Sequence, residues 1–302
     1  MKPLQIYVKT LNFTFYKLLF GLLNLILCVL TLFICLFIGS KINSEYSLVI
    51  AFIVWFILFL CIYNFLNHYI GYIIKAGHIA IISKAVYEGS IPNNSIPYAK
   101  QIIKKRFVLT NVYFAIDRLI KGAVSQIQRL TSHLDDLGNI VPGMSIITSI
   151  LDIFIGLVLN YVDDCCLGYA FMKEEEDAFK ASLDGVVLYF QNWKELLKNS
   201  AKITITLILL VILLCIIPIF LCILVFSFIN DSEIMLYIGI ACGFLIALIF
   251  KFAFIDPYIL IKIMTNYMSY AKDASVQIDL YEKLSNQSKS FKKLAKKAEI
   301  NV

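Results

Sequence analysis

Charged residues are scarce in this 302-residue chain, at 16% of the total, whereas soluble domains typically carry roughly 25%. Apolar residues make up 60%, and the mean hydropathy is +0.81. This balance excludes an ordinary soluble globular protein and indicates a chain that lies in a membrane.

Signatures of catalysis and ligand binding are also missing. The chain has only three histidines, His68, His78 and His133, and no convincing Ser/His/Asp set forms around them. No glycine-rich phosphate loop and no His/Cys cluster with metal-ligand spacing is present. The basic residues follow the edges of the apolar runs and are not interleaved with aromatic residues, as they are in nucleic-acid-binding domains. We therefore expect no enzyme activity, no cofactor, no metal and no nucleic-acid partner.

Long apolar runs are what the chain does have, at residues 13–40, 46–74, 203–229 and 234–263. Each run reaches the roughly 20 residues that a helix needs to cross a hydrocarbon layer about 30 Å thick. In lipid, a single segment satisfies its backbone hydrogen bonds only as a helix. The sequence therefore predicts an all-α integral membrane protein with four transmembrane helices in two pairs, and its first partner is the lipid bilayer.

The order of these runs predicts four regions and an orientation. The regions are a first transmembrane pair (1–75), a central amphipathic or membrane-embedded helical region (76–199), a second pair (200–265) and a basic tail (266–302). The loop inside the first pair carries one lysine, Lys41, and the loop inside the second pair carries none. Lysines crowd the N-terminus, the segment after the second run and the tail. The positive-inside rule therefore predicts a multi-pass cell-membrane protein with both termini in the cytoplasm.

The tail ends in a cluster of five lysines, which are Lys289, Lys292, Lys293, Lys296 and Lys297. One interpretation is a solubilising cytoplasmic tail. The other is docking on anionic lipid headgroups, which attract such clusters by about 1 kcal/mol per basic residue.

The two apolar pairs share a short internal repeat. One common offset aligns Phe65, Tyr69 and Ile70 with Phe254, Tyr258 and Ile259. Because both pairs run in the same direction, a true match would be a parallel repeat, as some transporters have. The alternative is coincidence between two helices rich in Ile, Phe and Tyr.

The central region holds the first candidate site residues. Apolar residues recur at helical spacing over residues 106–130, with Asp117, Arg118 and Lys121 opposite them, so we predict an amphipathic helix. Asp117 and Lys121 are four residues apart and can pair across one turn, which stabilises an exposed helix by about 0.3–0.5 kcal/mol.

A more hydrophobic stretch follows at residues 144–162 and places Asp152 in its middle, with Asn160 and Asp163 further down one helical face. A carboxylate at mid-membrane costs about 2.5–3.5 kcal/mol on insertion scales, so it normally faces a bundle interior or a watery cavity. If this stretch enters the bilayer, 106–130 returns with it as a hairpin, and Arg118 or Lys121 becomes the partner of Asp152. The alternative is a helix on the cytoplasmic surface with Asp152 on its solvated face.

Two further elements complete the prediction. Residues 173–199 form an amphipathic helix with acidic residues in its first turn, where they complement the helix dipole, and we expect it to lie in the plane of the membrane. Near the end of the fourth run, Lys251 and Asp256 can pair if the helix bends at Pro257. Asp256 is therefore either a structural interfacial residue or part of an ion pathway.

Two sequence patterns resemble known membrane families. Residues 177–182 (DAFKAS) followed by 192–197 (NWKELL), ahead of a long span, resemble uncharacterised bacterial six-helix membrane proteins. The order of residues 90–92 (SIP), 160–161 (NY) and 177–179 (DAF) is similar to the membrane core of choline transporter-like proteins. Both resemblances imply a polytopic helical membrane fold. The extra spans and large extracellular loop of the full choline transporter-like architecture are not found, so a choline activity is not implied.

The leading functional prediction is a transporter or channel for a small solute or ion. Its site would form where Asp152, Asn160, Arg118 and Lys121 converge near the bundle axis, with Asp163 and Asp256 as further pathway candidates. The alternative is a non-transporting membrane scaffold or assembly partner at the cytoplasmic face. A homo-oligomer or a membrane-protein partner is compatible with either function.

Overall fold

The computed structural model describes residues 1–42, 46–106, 110–132, 161–229 and 232–299, and these ranges contain helices and no strand. In chain order the elements are α1 (Pro3–Lys9), α2 (Leu11–Ser40), α3 (Ser47–Leu66), a first π-turn (Asn67–Gly71), α4 (Tyr72–Tyr87), α5 (Ser95–Arg106), α6 (Thr110–Ser132), α7 (Val162–Met172), α8 (Ala178–Gln191), α9 (Trp193–Ile229), α10 (Glu233–Phe250), a second π-turn (Lys251–Ile255), α11 (Asp256–Ala271), α12 (Ile278–Gln287) and α13 (Lys289–Lys297).

The spans in the described part of the chain agree with the sequence. Four stretches of helix are long and apolar enough to cross a membrane, and they are Leu11–Ser40, Ser47–Tyr87, Val211–Phe228 and Met235–Ala271. Large apolar side chains on them face outward, with Phe33 70% and Phe228 87% exposed. Apolar faces of this kind are stable in contact with lipid and unstable in contact with water. The predicted all-α integral membrane fold is confirmed.

The chain divides into two compact units. The first, here the transmembrane unit, comprises residues 11–76 and 210–257. In it α2 packs along α3 and also against α10 and the second π-turn. Small residues let these backbones approach: a Cβ on Gly239 would lie 3.0 Å from the Ile223 Cα, so α10 lies directly against the backbone of α9. The Trp55 indole N–H of α3 donates to the Cys28 carbonyl of α2 at 3.1 Å.

The second helix of each apolar pair has the same layout. In the first pair, 20 residues of α3 lead through a five-residue π-turn into the 16 residues of α4. In the second pair, 18 residues of α10 lead through a five-residue π-turn into the 16 residues of α11. A π-turn is rare and inserts one extra residue per turn. The layout recurs, but the sequence alignment pairs Asn67 with Asp256, just after the second π-turn, so the two π-turns do not support the register of the sequence match.

The second unit, here the core unit, comprises residues 1–10, 77–209 and 258–302. It is built around α7 and α8, and α6 packs against both. Its interior is well buried: Ile120 of α6, Cys166 of α7, Leu183 of α8 and Ile261 of α11 are all 0% exposed. The predicted regions follow chain order, whereas the core unit combines parts of the N-terminus, the central region and the tail.

Helix α8 differs from the expected in-plane helix over 173–199. Asp177 caps its N-terminus by accepting hydrogen bonds from the backbone N–H groups of Phe179 and Lys180, at 2.8 and 3.1 Å. Residues 181–189 are then all buried. Helix α8 contacts α7, α6, α12 and α13, and together these helices cover both its apolar and its polar face. The helix therefore lies inside the core unit, and its amphipathic pattern alone does not show the elements that cover its polar face.

The tail is part of the same unit. Phe291, Leu294 and Ala295 of α13 are buried, with at most 1% exposed. Helix α13 packs on α6, α8 and α12. A freely solvated tail would leave these apolar side chains in water, so the helix is held by the burial of its apolar face.

Candidate functional site

The predicted site residues fall into three groups. Asp152 and Asn160 lie outside the described residues. Arg118, Lys121 and Asp163 lie in the core unit, on α6 and in the first turn of α7. Asp256 lies in the transmembrane unit, at the first position of α11.

Lys121 joins two carboxylates. Its Nζ lies 2.9 Å from Asp117 Oδ2, one turn away on α6, and 3.3 Å from Asp163 Oδ2 on α7. The predicted Asp117–Lys121 pair is confirmed. The prediction from the sequence was that Arg118 or Lys121 pairs with Asp152. The contact between Lys121 and Asp163 of α7 was not predicted.

The environments of the two ends of this pair are unequal. The Asp163 side chain is 3% exposed, whereas that of Lys121 is 53% exposed. A buried carboxylate is stable only when it is paired and hydrogen-bonded, and the first turn of α7 supplies a favourable helix dipole as well. The arrangement joins α6 to α7 and leaves the lysine half in water.

A second polar contact joins the tail to α8. The Tyr281 hydroxyl of α12 donates to Asp184 Oδ1 of α8. Burial raises the pKa of Asp184 above its ordinary value, and the hydrogen bond from Tyr281 opposes that shift. Nothing in the local sequence indicates this contact, because the two residues are 97 positions apart.

The adjacent cysteines of α7 are structural. Cys165 and Cys166 are both 0% exposed, and burial raises the pKa of each thiol well above its ordinary value. Neutral, buried thiols are poor nucleophiles and poor metal ligands. Within the described ranges, no group of three His, Cys, Asp or Glu side chains is placed to hold a metal.

A basic groove lies between α6 and α13. It has a volume of about 600 Å³, and the described residues that line it are Ala115, Arg118, Leu119, Lys293, Lys296 and Lys297. Arg118 was singled out from the sequence for a different reason, as a partner for Asp152. The groove itself has no sequence signal, because its two sides are far apart in the chain.

Hydrogen bonds at the start of α13 fix one end of the groove. Gln126 Oε1 of α6 accepts from the Ser288 hydroxyl at 2.7 Å and from the Ser290 backbone N–H at 3.2 Å. Ser288 Oγ in turn accepts from the Phe291 N–H at 3.1 Å and so caps the helix. A Cβ on Gly122 would lie 2.5 Å from Ser290 Oγ, so the glycine allows α13 to approach α6 closely.

The transmembrane unit holds a separate polar pair and a cavity. Lys251 Nζ lies 2.8 and 3.1 Å from the two carboxylate oxygens of Asp256, across the second π-turn, which confirms the predicted pairing. A cavity of about 300 Å³ is lined mostly by apolar residues of α2, α3, α10 and the second π-turn, together with Asn24. Asn24 is 8% exposed, and its amide nitrogen donates to the Phe20 carbonyl at 2.8 Å.

Comparisons of the chain with protein-family models, with curated proteins and with solved structures gave no match. The resemblances to bacterial six-helix membrane proteins and to choline transporter-like proteins therefore stay predictions. Function has to be argued from the two units themselves.

Proposed function

We propose that this integral membrane protein is a non-transporting scaffold, which presents its core unit at the cytoplasmic face as a platform for other molecules. One observation carries the proposal: the amphipathic central helices and the tail pack into a unit with its own buried interior. Helices that lined a solute path would instead keep part of their polar faces in water.

The charged residues of the core unit fit this role. Lys121 and Asp163 were candidates for a pathway, yet they pair with each other, and the Asp163 carboxylate is buried. A carboxylate that served a permeating ion would need a route to water. The pair instead joins two helices, which is a structural task.

The cytoplasmic placement rests on charge. The lysines of the N-terminus, the segment after the second span and the tail belong to the cytoplasmic side under the positive-inside rule. The N-terminal segment 1–10, residues 77–106 and the tail are all parts of the core unit. Its exposed surface is therefore the part of this protein available to cytoplasmic partners.

The test is purification of the tagged full chain from native membranes in mild detergent, followed by native mass spectrometry. We expect a stoichiometric protein partner, and we expect Asp152→Asn to retain it, because a scaffold does not depend on a carboxylate for a solute pathway. Solute flux in proteoliposomes that Asp152→Asn abolishes, from a chain that purifies alone, would refute the scaffold.

Transport through the transmembrane unit is the second candidate, because an ion pair spans its second π-turn. π-turns often occur at functional positions, and Lys251 and Asp256 are each partly exposed, with 38% and 24% of the side chain accessible. Flux through proteoliposomes should then be lost in Asp256→Asn and kept in Glu233→Gln, an exposed acidic residue at the start of α10. Equal flux in both variants would dismiss this candidate.

A further inference from the structure

We propose that the basic groove of the core unit binds the phosphate of an anionic lipid headgroup, and specifically a phosphomonoester such as that of phosphatidic acid. This goes beyond the scaffold function and does not depend on it, since it requires only that the chain lies in a bilayer. Three features of the protein support it: the construction of the groove, its charge and the tethering of the chain to the membrane.

The groove is built from two elements that are held in register. Lys293, Lys296 and Lys297 lie at i, i+3 and i+4 on α13 and therefore share one face of that helix. The opposite face carries Phe291, Leu294 and Ala295, which are buried. Together with the hydrogen bonds to Gln126 at the start of the helix, this burial keeps the face of α13 that carries the three lysines on the groove.

The charge of the groove suits a phosphomonoester. Arg118 and the three lysines contribute four cations, and no carboxylate is among the described residues that line it. The planar guanidinium binds two phosphate oxygens at once, while the lysines act as mobile point charges around it. A phosphomonoester carries a charge of about −1.5 to −2 near neutral pH, against −1 for a phosphodiester. Four cations that line one groove therefore favour the monoester.

The size and the edges of the groove agree with a headgroup. Its volume of about 600 Å³ lies within the roughly 300–1,000 Å³ of small-molecule sites. Ala115 and Leu119 add an apolar strip to the lining, which suits the glycerol and first methylene groups of a lipid. Lys297 Nζ also lies 5.1 Å from the centre of the Phe179 ring, and this cation–π contact restrains the lysine side chain.

A lipid is favoured over a free phosphate because the chain is anchored in the bilayer. The chain passes between the core unit and the transmembrane unit at residues 10–11, 76–77, 209–210 and 257–258. Tethering of this kind keeps membrane lipids at a high effective concentration around the unit, whereas free metabolites gain nothing from it.

The experiment uses the full chain in phosphatidylcholine nanodiscs, with binding measured at rising fractions of phosphatidic acid. Lys293→Gln, Lys296→Gln and Lys297→Gln each remove one charge from the groove. Lys289→Gln and Lys292→Gln remove the same charge from exposed positions of α13 that do not line it. All five are surface substitutions that leave the buried face of the helix intact.

A specific site predicts unequal effects. Each groove variant should weaken binding by about tenfold, the loss expected for one charge-assisted hydrogen bond, and the two control variants by no more than about twofold. Arg118→Lys keeps the charge but removes the two-oxygen geometry, so it should weaken binding of phosphatidic acid severalfold. Phosphatidylglycerol at matched membrane charge should bind more weakly than phosphatidic acid.

Three results would overturn the proposal. Equal losses in all five lysine variants would mean diffuse attraction of a basic helix to an anionic surface. Equal affinity for phosphatidylglycerol and for phosphatidic acid would show that the groove does not prefer a phosphomonoester. Glycerol 3-phosphate that binds as tightly as phosphatidic acid does, in nanodiscs without anionic lipid, would identify a free phosphate compound as the occupant.

Discussion

Single residues in the core unit show how burial determines the contribution of a charged side chain to stability. Lys121 and Asp163 contact each other at 3.3 Å, but only the carboxylate is buried. Removing a partner is costly when it leaves a desolvated charge behind, and cheap when the remaining charge is hydrated. The two halves of this pair should therefore respond differently to substitution.

The first prediction compares Lys121→Met with Asp163→Asn. We expect Lys121→Met to lower the free energy of unfolding by about 1–2 kcal/mol, below the roughly 3–5 kcal/mol of a fully buried pair, because the lysine is half exposed. Asp163→Asn should cost less than about 1 kcal/mol, since the amide is isosteric and Lys121 keeps Asp117. Thermal unfolding of both variants in the same detergent measures the difference. An Asp163→Asn cost equal to or above that of Lys121→Met would contradict this account.

The second prediction concerns pH. Burial raises the pKa of Asp184 in the folded chain, so the folded state binds a proton more tightly than the unfolded state does. The contribution of Asp184 to stability is then greatest below its unfolded pKa of about 3.9 and is lost as pH rises through the raised folded pKa. Glu176 raises that pKa further, while Lys180 and Lys173 lower it.

We therefore expect the melting temperature of the unaltered chain to fall as pH rises above 4. Asp184→Asn should flatten that fall, because the amide does not ionise and still accepts a hydrogen bond from Tyr281. Tyr281→Phe should steepen that fall, since it removes the hydrogen bond that favours the carboxylate. Melting curves from pH 4 to 7 compare the three proteins. Parallel curves for the unaltered chain and Asp184→Asn would show that Asp184 does not titrate in this range.

At the scale of elements, the docking of α13 on α6 requires a small residue at position 122. A Cβ on Gly122 meets the Ser290 side chain, 2.5 Å from its hydroxyl and 3.0 Å from its Cβ. The hydroxyl can rotate away, whereas the Cβ moves only with the helix.

The third prediction follows from this geometry. Gly122→Ala should be close to neutral, because the gain in helix propensity of about 1 kcal/mol offsets a small shift of Ser290. Gly122→Leu should displace α13 and raise the rate of tryptic cleavage at its lysines by about tenfold, which corresponds to roughly 1.4 kcal/mol of lost docking. Ser125→Leu, at an exposed position on the same helix, is the control and should leave cleavage unchanged. Equal cleavage in Gly122→Leu and Ser125→Leu would show that α13 is not held there.

The elements themselves differ in how far the sequence determines them. The spans follow from composition, because lipid leaves a long apolar segment no other structure, and the Asp117–Lys121 and Lys251–Asp256 pairs follow from spacing on one helix. Contacts between distant segments do not. Asp163 with Lys121, Tyr281 with Asp184 and the two sides of the basic groove each join residues that only tertiary packing brings together. The expected helix over 173–199 is divided, because one helix ends at Gln191 and the next begins at Trp193. The burial of residues 181–189 was not predictable for the same reason, since an amphipathic pattern shows one apolar face but not the elements that cover the other.

At the scale of the whole molecule, the chain combines spans that face lipid with a unit that has its own interior. The repeated layout of α3–α4 and α10–α11, each with a π-turn between two helical parts, is consistent with an internal duplication of the transmembrane pair. The core unit takes in the central helices and the tail, together with residues 77–87 and 258–271 at the ends of two of the spans. On this account, the spans attach the protein to the membrane, and the core unit carries its function.

The measurement that tests this account most directly is labelling of single cysteines in intact membranes with a thiol reagent that does not cross them, in a background without the native cysteines. The account predicts that Asp163→Cys stays unlabelled even after the membrane is permeabilised, because the position is buried in the core unit. Arg118→Cys, on the exposed groove, should label only after permeabilisation, because the proposed orientation places the core unit on the cytoplasmic side. Labelling of Asp163→Cys in a folded protein, or of Arg118→Cys in intact cells, would contradict the account and favour a watery pathway.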